Sequence, residues 1–172
     1  MLIIMGGLPG VGKTTLSRLL ANRLSAVWLR IDSIEQTLVH GGKLTMEQMG
    51  GSGYEIACAL AADNLRVNNW VIADSVNPIA VTRQAWRDVA VQNAVPYFEI
   101  EIVCTNPVIH RARVEGRRAD IAGHQLPDWE QVINREYAPW PQATLQVDTA
   151  LYTPEQAVDM IVHALDGCGV QR

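Results

Sequence analysis

Lysine, cysteine and long hydrophobic runs are scarce in this sequence. Its 172 residues include only two lysines, Lys13 and Lys43, and its 14 basic residues are outnumbered by 18 acidic ones, which gives a net charge of −4. This charge argues against nonspecific binding to nucleic acid or to anionic membranes, although it leaves room for a local basic patch. The longest segment without a charged residue is residues 1–12, whereas a membrane span needs about 18 apolar residues.

The cysteines are Cys58, Cys104 and Cys168, and no two of them form a C-x-x-C pair. Three cysteines cannot all form disulfides within one chain, and this usage is typical of a reducing cytoplasm. Because the N-terminus has neither a charged leader nor a small-residue cleavage pattern, we expect no secretory signal. The sequence therefore predicts a cytoplasmic protein with buried or terminal thiols.

The size of the chain fits one compact domain that spans residues 1–172. Hydrophobic residues make up 48% of the sequence and charged residues 19%, which excludes a disordered or low-complexity protein. We find no repeat, no linker and no break in composition that would divide the chain. The sequence does not indicate an oligomeric state.

Short apolar runs alternate with helical stretches along the chain. The apolar runs are residues 2–5, 27–31, 70–73, 97–104 and 144–147, and the clearest helical stretches are residues 14–24, 55–68 and 81–93. Apolar runs separated by helices are typical of βαβ units on a buried parallel sheet. The order β-α-β-α-α-β-α-β-α-α-β-α predicts an α/β protein, a three-layer α/β/α sandwich with a five-stranded parallel sheet. Because Glu99 and Glu101 alternate within the fourth run, we expect one face of that strand to be partly solvated at its start.

Capping signals mark several helix boundaries. Asn106 followed by Pro107 is typical of a helix start, and residues 153–156 (T-P-E-Q) form a capping box with proline at the first helical position. Gly167 is expected to end that last helix. Residues 41–53 contain five glycines, which predicts a mobile loop.

One segment matches a phosphate-binding motif at every fixed position. Residues 7–14 read G-L-P-G-V-G-K-T, the pattern G-x-x-x-x-G-K-[ST], and lie between a predicted strand and a predicted helix. Glycines let backbone N–H groups turn toward phosphate, Lys13 reaches the β- and γ-phosphates, and the Thr14 hydroxyl ligates Mg²⁺. The helix dipole adds to the attraction. The predicted nucleotide-binding residues of this loop are Gly7, Leu8, Pro9, Gly10, Val11, Gly12, Lys13, Thr14 and Thr15.

Two absences narrow the class of P-loop protein. Guanine-specific GTPases read their base with [NT]-K-x-D, but Lys43, the only other lysine, lies in G-K-L-T. Many ring and motor ATPases place a glutamate directly after the aspartate that ends the neighbouring strand, whereas Asp74 is followed by Ser75. The chain is also too short for their additional helical domain. These features predict phosphoryl transfer from ATP to a substrate, with Mg²⁺, rather than to water.

Four arginines lie within residues 111–118 and would repel one another unless anions compensate them. Planar guanidinium groups match the oxygens of a transferring phosphoryl group. Residues 113–118, R-V-E-G-R-R, resemble the R-x-x-G-R-R opening of the adenylate kinase lid. That resemblance implies that Arg113 packs on the adenine and that Arg117 meets the transferring phosphates. The alternative is a solvated run of charges paired with Glu115 and Asp120.

The flanking residues His110, Arg111 and Arg118 are candidates for supporting roles in this lid, which we expect at about residues 107–140. Taken as a whole, the chain resembles the small P-loop kinases of metabolites, and most of all the bacterial "AAA family ATPase" or predicted-kinase group. The segments 126–129 (L-P-D-W) and 135–140 (R-E-Y-A-P-W) carry the resemblance to that group. The wider relatives include gluconate kinase, shikimate kinase, adenylylsulfate kinase, chloramphenicol phosphotransferase and polynucleotide kinase domains. The resemblance implies a P-loop nucleoside triphosphate hydrolase fold with a helical lid.

Asp32 follows the second predicted strand directly, at the sheet edge where ligands bind in such folds. In the relatives closest to chloramphenicol phosphotransferase and polynucleotide kinase, an aspartate at this point takes the proton from the acceptor hydroxyl, a role that needs a carboxylate close to that hydroxyl. The alternative is a helix N-cap before residues 33–39. Relatives often read D-x-x-R here, but this sequence has Glu35 in the arginine position, which disfavours a nucleic-acid or nucleotide acceptor unless Arg30 substitutes.

Asp74 ends the third predicted strand, beside the P-loop strand in this fold. Such a carboxylate is suited to hold a Mg²⁺ water or an acceptor group, and capping of its own loop is the alternative. Lining of the acceptor pocket is a hypothesis for Ser75, Asn77, Pro78, Tyr54, Trp129 and Trp140, although the aromatic residues among them fit a core role equally. His40, His124 and His163 lack metal-ligand spacing, so we do not expect a zinc site.

The sequence thus favours an ATP- and Mg²⁺-dependent kinase that phosphorylates a hydroxyl of a small molecule. Lys13, Asp32 and Arg117 are the predicted catalytic residues, and Thr14 and Asp74 are the predicted metal ligands. Two other hypotheses stay open: a nucleotide or polynucleotide 5′-kinase, and an ATP-binding switch protein without turnover.

Overall fold

The computed structural model describes residues 1–168, and its secondary structure alternates strands with helices. In chain order the elements are β1 (Leu2–Gly6), α1 (Lys13–Leu24), β2 (Val27–Arg30), α2 (Ile31–His40), α3 (Met46–Met49), α4 (Ser52–Arg66), β3 (Val71–Asp74), α5 (Ala80–Gln92), β4 (Tyr97–Val103), α6 (Pro107–Gly116), α7 (Trp129–Ile133), β5 (Leu145–Asp148) and α8 (Pro154–Gly167). No helix among the described residues is long and apolar enough to cross a membrane.

The five strands form one parallel sheet in the order β2-β3-β1-β4-β5. Helices cover both of its faces, which confirms the predicted α/β/α sandwich. In the register, Met5 of β1 and Arg30 of β2 both pair with Asp74 of β3. The carboxyl ends of these three strands therefore reach the same edge of the sheet, next to the P-loop.

The hydrophobic core lies on both faces of the sheet, and β1 is buried throughout. On one face Ile3 and Met5 pack with residues of α1 and α8, and on the other Leu2 and Ile4 pack with residues of α4 and α5. Burial of both faces of a central parallel strand explains why β1 reads as a continuous apolar run. The loop that follows β1 is therefore anchored to the most rigid part of the molecule.

The expected solvation of one face of β4 at its start is limited to Tyr97, which is 41% exposed, and does not extend to Glu99 and Glu101. The side chain of Glu99 is 2% exposed, and both of its oxygens accept hydrogen bonds from Arg87 of α5, at 2.8 and 3.0 Å. Glu101 is also buried and accepts a hydrogen bond from Gln146 of β5 at 2.8 Å. Buried carboxylates need such partners, and these partners lie on other elements, out of reach of a local pattern.

Most of the local expectations agree with the structure. The Asn106 side chain caps α6, Thr153 forms the expected capping box, and α8 ends at Gly167. Several helix and strand boundaries shift by a few residues, and two differences change the type of element. Ile31 opens α2 instead of ending β2, and α3, with its own capping box at Thr45, lies within the expected glycine-rich loop. Cys58, Cys104 and Cys168 are free thiols.

Candidate active site

The P-loop turns from β1 into α1 through glycines in conformations that other residues rarely adopt. Gly10 has φ +83° and Gly12, the residue before α1, has φ +101°. A Cβ on Gly10 would also lie 2.5 Å from Val114 of α6. The loop is thus built for glycine at these positions, as an inward-facing arrangement of N–H groups requires.

Lys13 is buried at the start of α1, and its ammonium group donates to the Leu8 carbonyl at 3.0 Å. Burial lowers the pKa of Lys13 to about 8, and the negative charges of Asp74 and Asp32 counteract that shift. A buried cation with so little compensation fits a site that receives an anion. The residues of the loop therefore suit a nucleotide triphosphate.

Asp74 lies at the end of β3, where it is 3% exposed and accepts a hydrogen bond from the Trp28 indole at 3.3 Å. Burial raises the pKa of this carboxyl group, whereas Lys13 and hydrogen bonding with Thr14 lower it. A hydroxyl and a carboxylate side by side are oxygen ligands of the kind that Mg²⁺ prefers. Thr14 and Asp74 thus suit the predicted ion, and no cluster of three or more histidine, cysteine or acidic side chains in residues 1–168 is arranged to hold a metal.

Asp32 is the second residue of α2 and faces the same edge of the sheet. The N-cap of this helix is Arg30, and no side chain makes a capping hydrogen bond there, so the alternative role of Asp32 as an N-cap is wrong. The Asp32 carboxylate lies 4.0 Å from the guanidinium of Arg30. Its side chain is 38% exposed and is therefore open to a ligand.

A polar cavity of about 570 Å³ brings the predicted catalytic residues and metal ligands together. Lys13, Thr14, Asp32, Asp74 and Arg117 all line it. The pattern of the sequence did not single out several other lining residues: Gln36, His124, Gln125, Gln131 and Arg135. These side chains come from α2 and from the irregular segment around α7, and no local motif marks them.

Both acidic and basic side chains line this cavity. Asp32, Glu35 and Asp74 contribute three acidic groups, and burial together with the nearby Asp32 raises the pKa of Glu35. Arg135 lines the cavity and its positive charge acts on Glu35, although the two groups form no ion pair within 4 Å. Arg135 is the cation that sequence reasoning missed.

A second cavity, of about 430 Å³, lies on the other side of the P-loop. Gly10, Gly12 and Thr15 line it together with Arg113 and Arg117. Arg117 therefore borders both cavities, where a phosphate chain would pass from one to the other. The Arg113 guanidinium is fixed by Thr149, with hydrogen bonds of 2.7 Å to the hydroxyl and 2.9 Å to the carbonyl.

The neighbouring residues of the lid segment have other contacts. His110 is buried, and its Nε2 lies 2.8 Å from the Pro9 carbonyl of the P-loop. Arg111 forms an exposed ion pair with Glu115 at 2.7 Å, as the alternative reading of this charge run predicted. Neither Arg111 nor Arg118 lines either cavity. Asp120 pairs with Arg30 of β2, not with an arginine of residues 111–118.

The polar cavity is not lined by Tyr54, Trp129 or Trp140, so these aromatic residues have the packing role that was the alternative. The Tyr54 hydroxyl accepts a hydrogen bond from the Asn77 backbone, Trp129 packs edge-on against His110, and Trp140 is a core residue. Ser75 does line the cavity, but Asn77 is fully buried and donates to the Met5 carbonyl at 2.8 Å. Residues 75–78 thus hold the end of β1, and only Ser75 and Val76 of this segment line the cavity.

Comparisons with known proteins agree with this geometry. A model of the AAA domain family matches residues 2–135. The chain is 31% identical to a shikimate kinase from Thermobifida fusca (strain YX) over 175 residues, an alignment that covers 98% of this chain and 96% of that relative.

Solved structures share the fold over nearly the whole chain. A kinase candidate from Chloroflexus aurantiacus superposes with a TM-score of 0.76 at 22% identity, covering 96% of each chain. The APS kinase CysC of Mycobacterium tuberculosis, solved in complex with AMPPNP and APS, superposes with a TM-score of 0.67 at 16% identity, again over 96% of each chain.

Proposed function

The chain belongs to the AAA domain family, and from this membership and its site we propose that it is an ATP- and Mg²⁺-dependent kinase that phosphorylates a hydroxyl group of a small molecule. The observation that carries the proposal is the cavity in which the end of the P-loop faces two carboxylates. Lys13 and Thr14 line it together with Asp32 and Asp74. A phosphoryl group and an acceptor can therefore meet there.

In this proposal the P-loop and Lys13 hold the triphosphate, and the adenosine occupies the cavity beside Arg113. Thr14 and Asp74 hold Mg²⁺, which neutralises charge on the phosphates. The acceptor oxygen attacks the γ-phosphorus, the bond from that phosphorus to the β–γ bridging oxygen breaks, and ADP leaves. Asp32 takes the proton of the acceptor hydroxyl, and Arg117 stabilises the charge on the transferring oxygens.

The charges around the cavity support a neutral or cationic acceptor. Glu35 stands where many relatives have an arginine, and Arg30, the buried cation of the β2 end, is already paired with Asp120. Lys13 and Arg117 are needed for the phosphates of ATP. That leaves Arg135, whose charge acts on Glu35, as the remaining cation among the described lining residues, which is a poor match to a nucleic acid carrying one phosphate per residue.

Incubation with Mg-ATP and a pool of hydroxylated metabolites and antibiotics tests the function. We expect mass spectrometry to find a product one phosphate heavier than its precursor, and no phosphorylation of 5′-hydroxyl DNA or RNA. Labelling of an oligonucleotide 5′ end would favour the polynucleotide kinase hypothesis instead. ATP binding without transfer to any acceptor would favour the switch hypothesis.

The variant Asp32→Asn separates chemistry from binding. It keeps the shape of the side chain but removes the proton acceptor, so transfer should fall by roughly 10²-fold or more while ATP affinity barely changes. Asp63→Asn is the matched control, because Asp63 lies on the exposed surface of α4 in an ion pair with Arg66. Full transfer in Asp32→Asn would assign the base to another group, with Asp74 as the next candidate.

The reducing cytoplasm belongs to the same proposal. The three free thiols support it, because free thiols are typical of proteins in a reducing compartment.

A further inference from the structure

Arg30 connects the lid segment to the proposed base. Its two Nη atoms lie 2.6 and 3.0 Å from the two carboxylate oxygens of Asp120, which is a bidentate ion pair. One of the same nitrogens lies 4.0 Å from the Asp32 carboxylate. Asp120 belongs to the irregular segment between α6 and α7, so one guanidinium joins the end of β2, the start of α2 and the lid segment.

Burial of these three side chains is unequal. The Arg30 side chain is 8% exposed, whereas the Asp32 side chain is 38% exposed and that of Asp120 is 60% exposed. Hydrogen bonding to Arg30 lowers the pKa of Asp120. Asp120 can do without its partner because water solvates it, but Arg30 cannot, since an unpaired buried cation is strongly unfavourable. Without Asp120, Arg30 would turn to the carboxylate 4.0 Å away.

Such a turn would oppose the role of Asp32. The charged groups around Asp32 are Lys13 of α1, Arg30 of β2, Glu35 of α2 and Asp74 of β3. A close pair with Arg30 would direct an Asp32 oxygen toward β2 and away from the acceptor. An ion-paired carboxylate also accepts a proton less readily.

We propose that Asp120 is a positioning residue for phosphoryl transfer: it occupies the guanidinium of Arg30 and so keeps Asp32 free for the acceptor hydroxyl. This inference rests on the proposed role of Asp32 as the base. Gly123 packs against the His40 imidazole of α2, which brings the same segment against the helix that carries Asp32. The base is therefore available when the lid segment lies against α2, and Arg30 competes for it when the segment moves away.

The test compares Asp120→Asn, Arg30→Met and the double variant. The probe is Mg-ATP with water in place of the acceptor, read as released phosphate, so it does not depend on the identity of the acceptor. Asp120→Asn should lower kcat by roughly 10-fold or more with little change in the KM for ATP. Arg30→Met should lower kcat less, and the double variant should recover from the level of Asp120→Asn to that of Arg30→Met.

Two further variants make the comparison specific. Asp120→Glu keeps the carboxylate and should restore most of the activity, and Glu115→Gln, which removes an exposed carboxylate of α6, should leave kcat unchanged. Thermal denaturation of Asp120→Asn, which leaves Arg30 buried without its partner, shows whether this variant is folded at the assay temperature.

The outcomes separate this inference from the function it rests on. Equal losses in Asp120→Asn, Arg30→Met and the double variant would mean that the ion pair only holds the lid segment in place. An unchanged kcat in Asp120→Asn would mean that the pair neither holds the lid segment nor positions Asp32. Either result overturns the proposal. Asp32→Asn is measured in parallel. If it keeps full activity, the base assignment itself is wrong, whereas a loss there together with normal Asp120→Asn overturns only the role of Asp120.

Discussion

At the scale of single residues, Lys13 is a cation that the fold buries before any phosphate arrives. Lys13→Ala removes a charge-assisted hydrogen bond of about 1.5–3 kcal/mol, so ATP binding should weaken by at least roughly 10-fold. Folding should survive, because the ammonium contacts the Leu8 carbonyl and not the hydrophobic core. Calorimetric titration with ATP measures the effect, and unchanged affinity would contradict the assignment of the loop.

Lys13 should also link nucleotide binding to protons. Its pKa is about 8 in the folded protein without nucleotide, and phosphate charge favours the protonated form. At pH 8 the Lys13 side chain is neutral in about half of the molecules, so ATP binding should take up about half a proton per molecule. At pH 6.5 it should take up almost none. Titrations in two buffers of different ionisation enthalpy measure this uptake. Lys13→Arg, whose side chain stays charged, is the control and should take up none; equal uptake in this variant would assign the proton to another group.

The same residue has a defined effect on stability. Between about pH 8 and 10.5 the folded protein without nucleotide binds fewer protons at Lys13 than the unfolded chain does. Its contribution to the free energy of unfolding therefore rises with pH across this window. Denaturant titrations of the wild type and Lys13→Met, in which the residue no longer titrates, should diverge there in this direction. Parallel curves would show that Lys13 titrates normally.

At the scale of elements, the ion pair between α5 and β4 should be asymmetric. Arg87→Met leaves the Glu99 carboxylate buried without its partner and should cost about 3–5 kcal/mol, while Glu99→Gln keeps a polar group beside the more exposed Arg87 and should cost less. Urea denaturation of both variants measures the difference. Arg66→Met, which breaks an exposed pair on α4, should cost less than about 1 kcal/mol. A larger loss in Glu99→Gln than in Arg87→Met would contradict this account.

The elements also show which features a sequence can predict. The strand positions, the cap at Asn106 and the capping box at Thr153 depend on neighbours within a few residues, and the structure confirms them. The P-loop is predictable for the same reason, because its turn needs glycine at consecutive local positions. The burial of Glu99 could not be predicted, because its partner Arg87 lies on another element and the ion pair exists only in the folded protein.

The residues of the candidate site also differ in whether the sequence alone could identify them. Asp32 and Asp74 could be found because Asp74 ends a strand and Asp32 lies just after one, and strand ends share one edge of a parallel sheet. Arg135 and the Arg30–Asp120 pair could not, because they depend on the path of residues 117–135, which is irregular apart from the short helix α7. A segment without periodicity gives no pattern from which to infer its direction.

At the scale of the whole molecule, Mg-ATP should stabilise the fold through its binding energy. At a concentration 100 times its Kd, it adds about 2.7 kcal/mol to the free energy of unfolding. For a chain of this size that corresponds to a rise in Tm of roughly 5–10 °C. Thermal denaturation with and without Mg-ATP measures the shift. Lys13→Ala at the same ATP concentration should shift much less, and an equal shift would show that ATP binds elsewhere.

The polar cavity that Lys13, Asp32 and Asp74 line combines buried and exposed residues, and this difference affects how acceptor specificity can change. Its lining residues Lys13 and Asp74 are buried, whereas Gln131 of α7 and the flanking Gln125 and Arg135, which also line it, are exposed. Exposed positions tolerate substitution with little loss of folding free energy. A library randomised at these three positions can therefore sample new acceptors while the phosphate machinery stays intact, which makes this fold a scaffold whose selectivity can evolve separately from its chemistry.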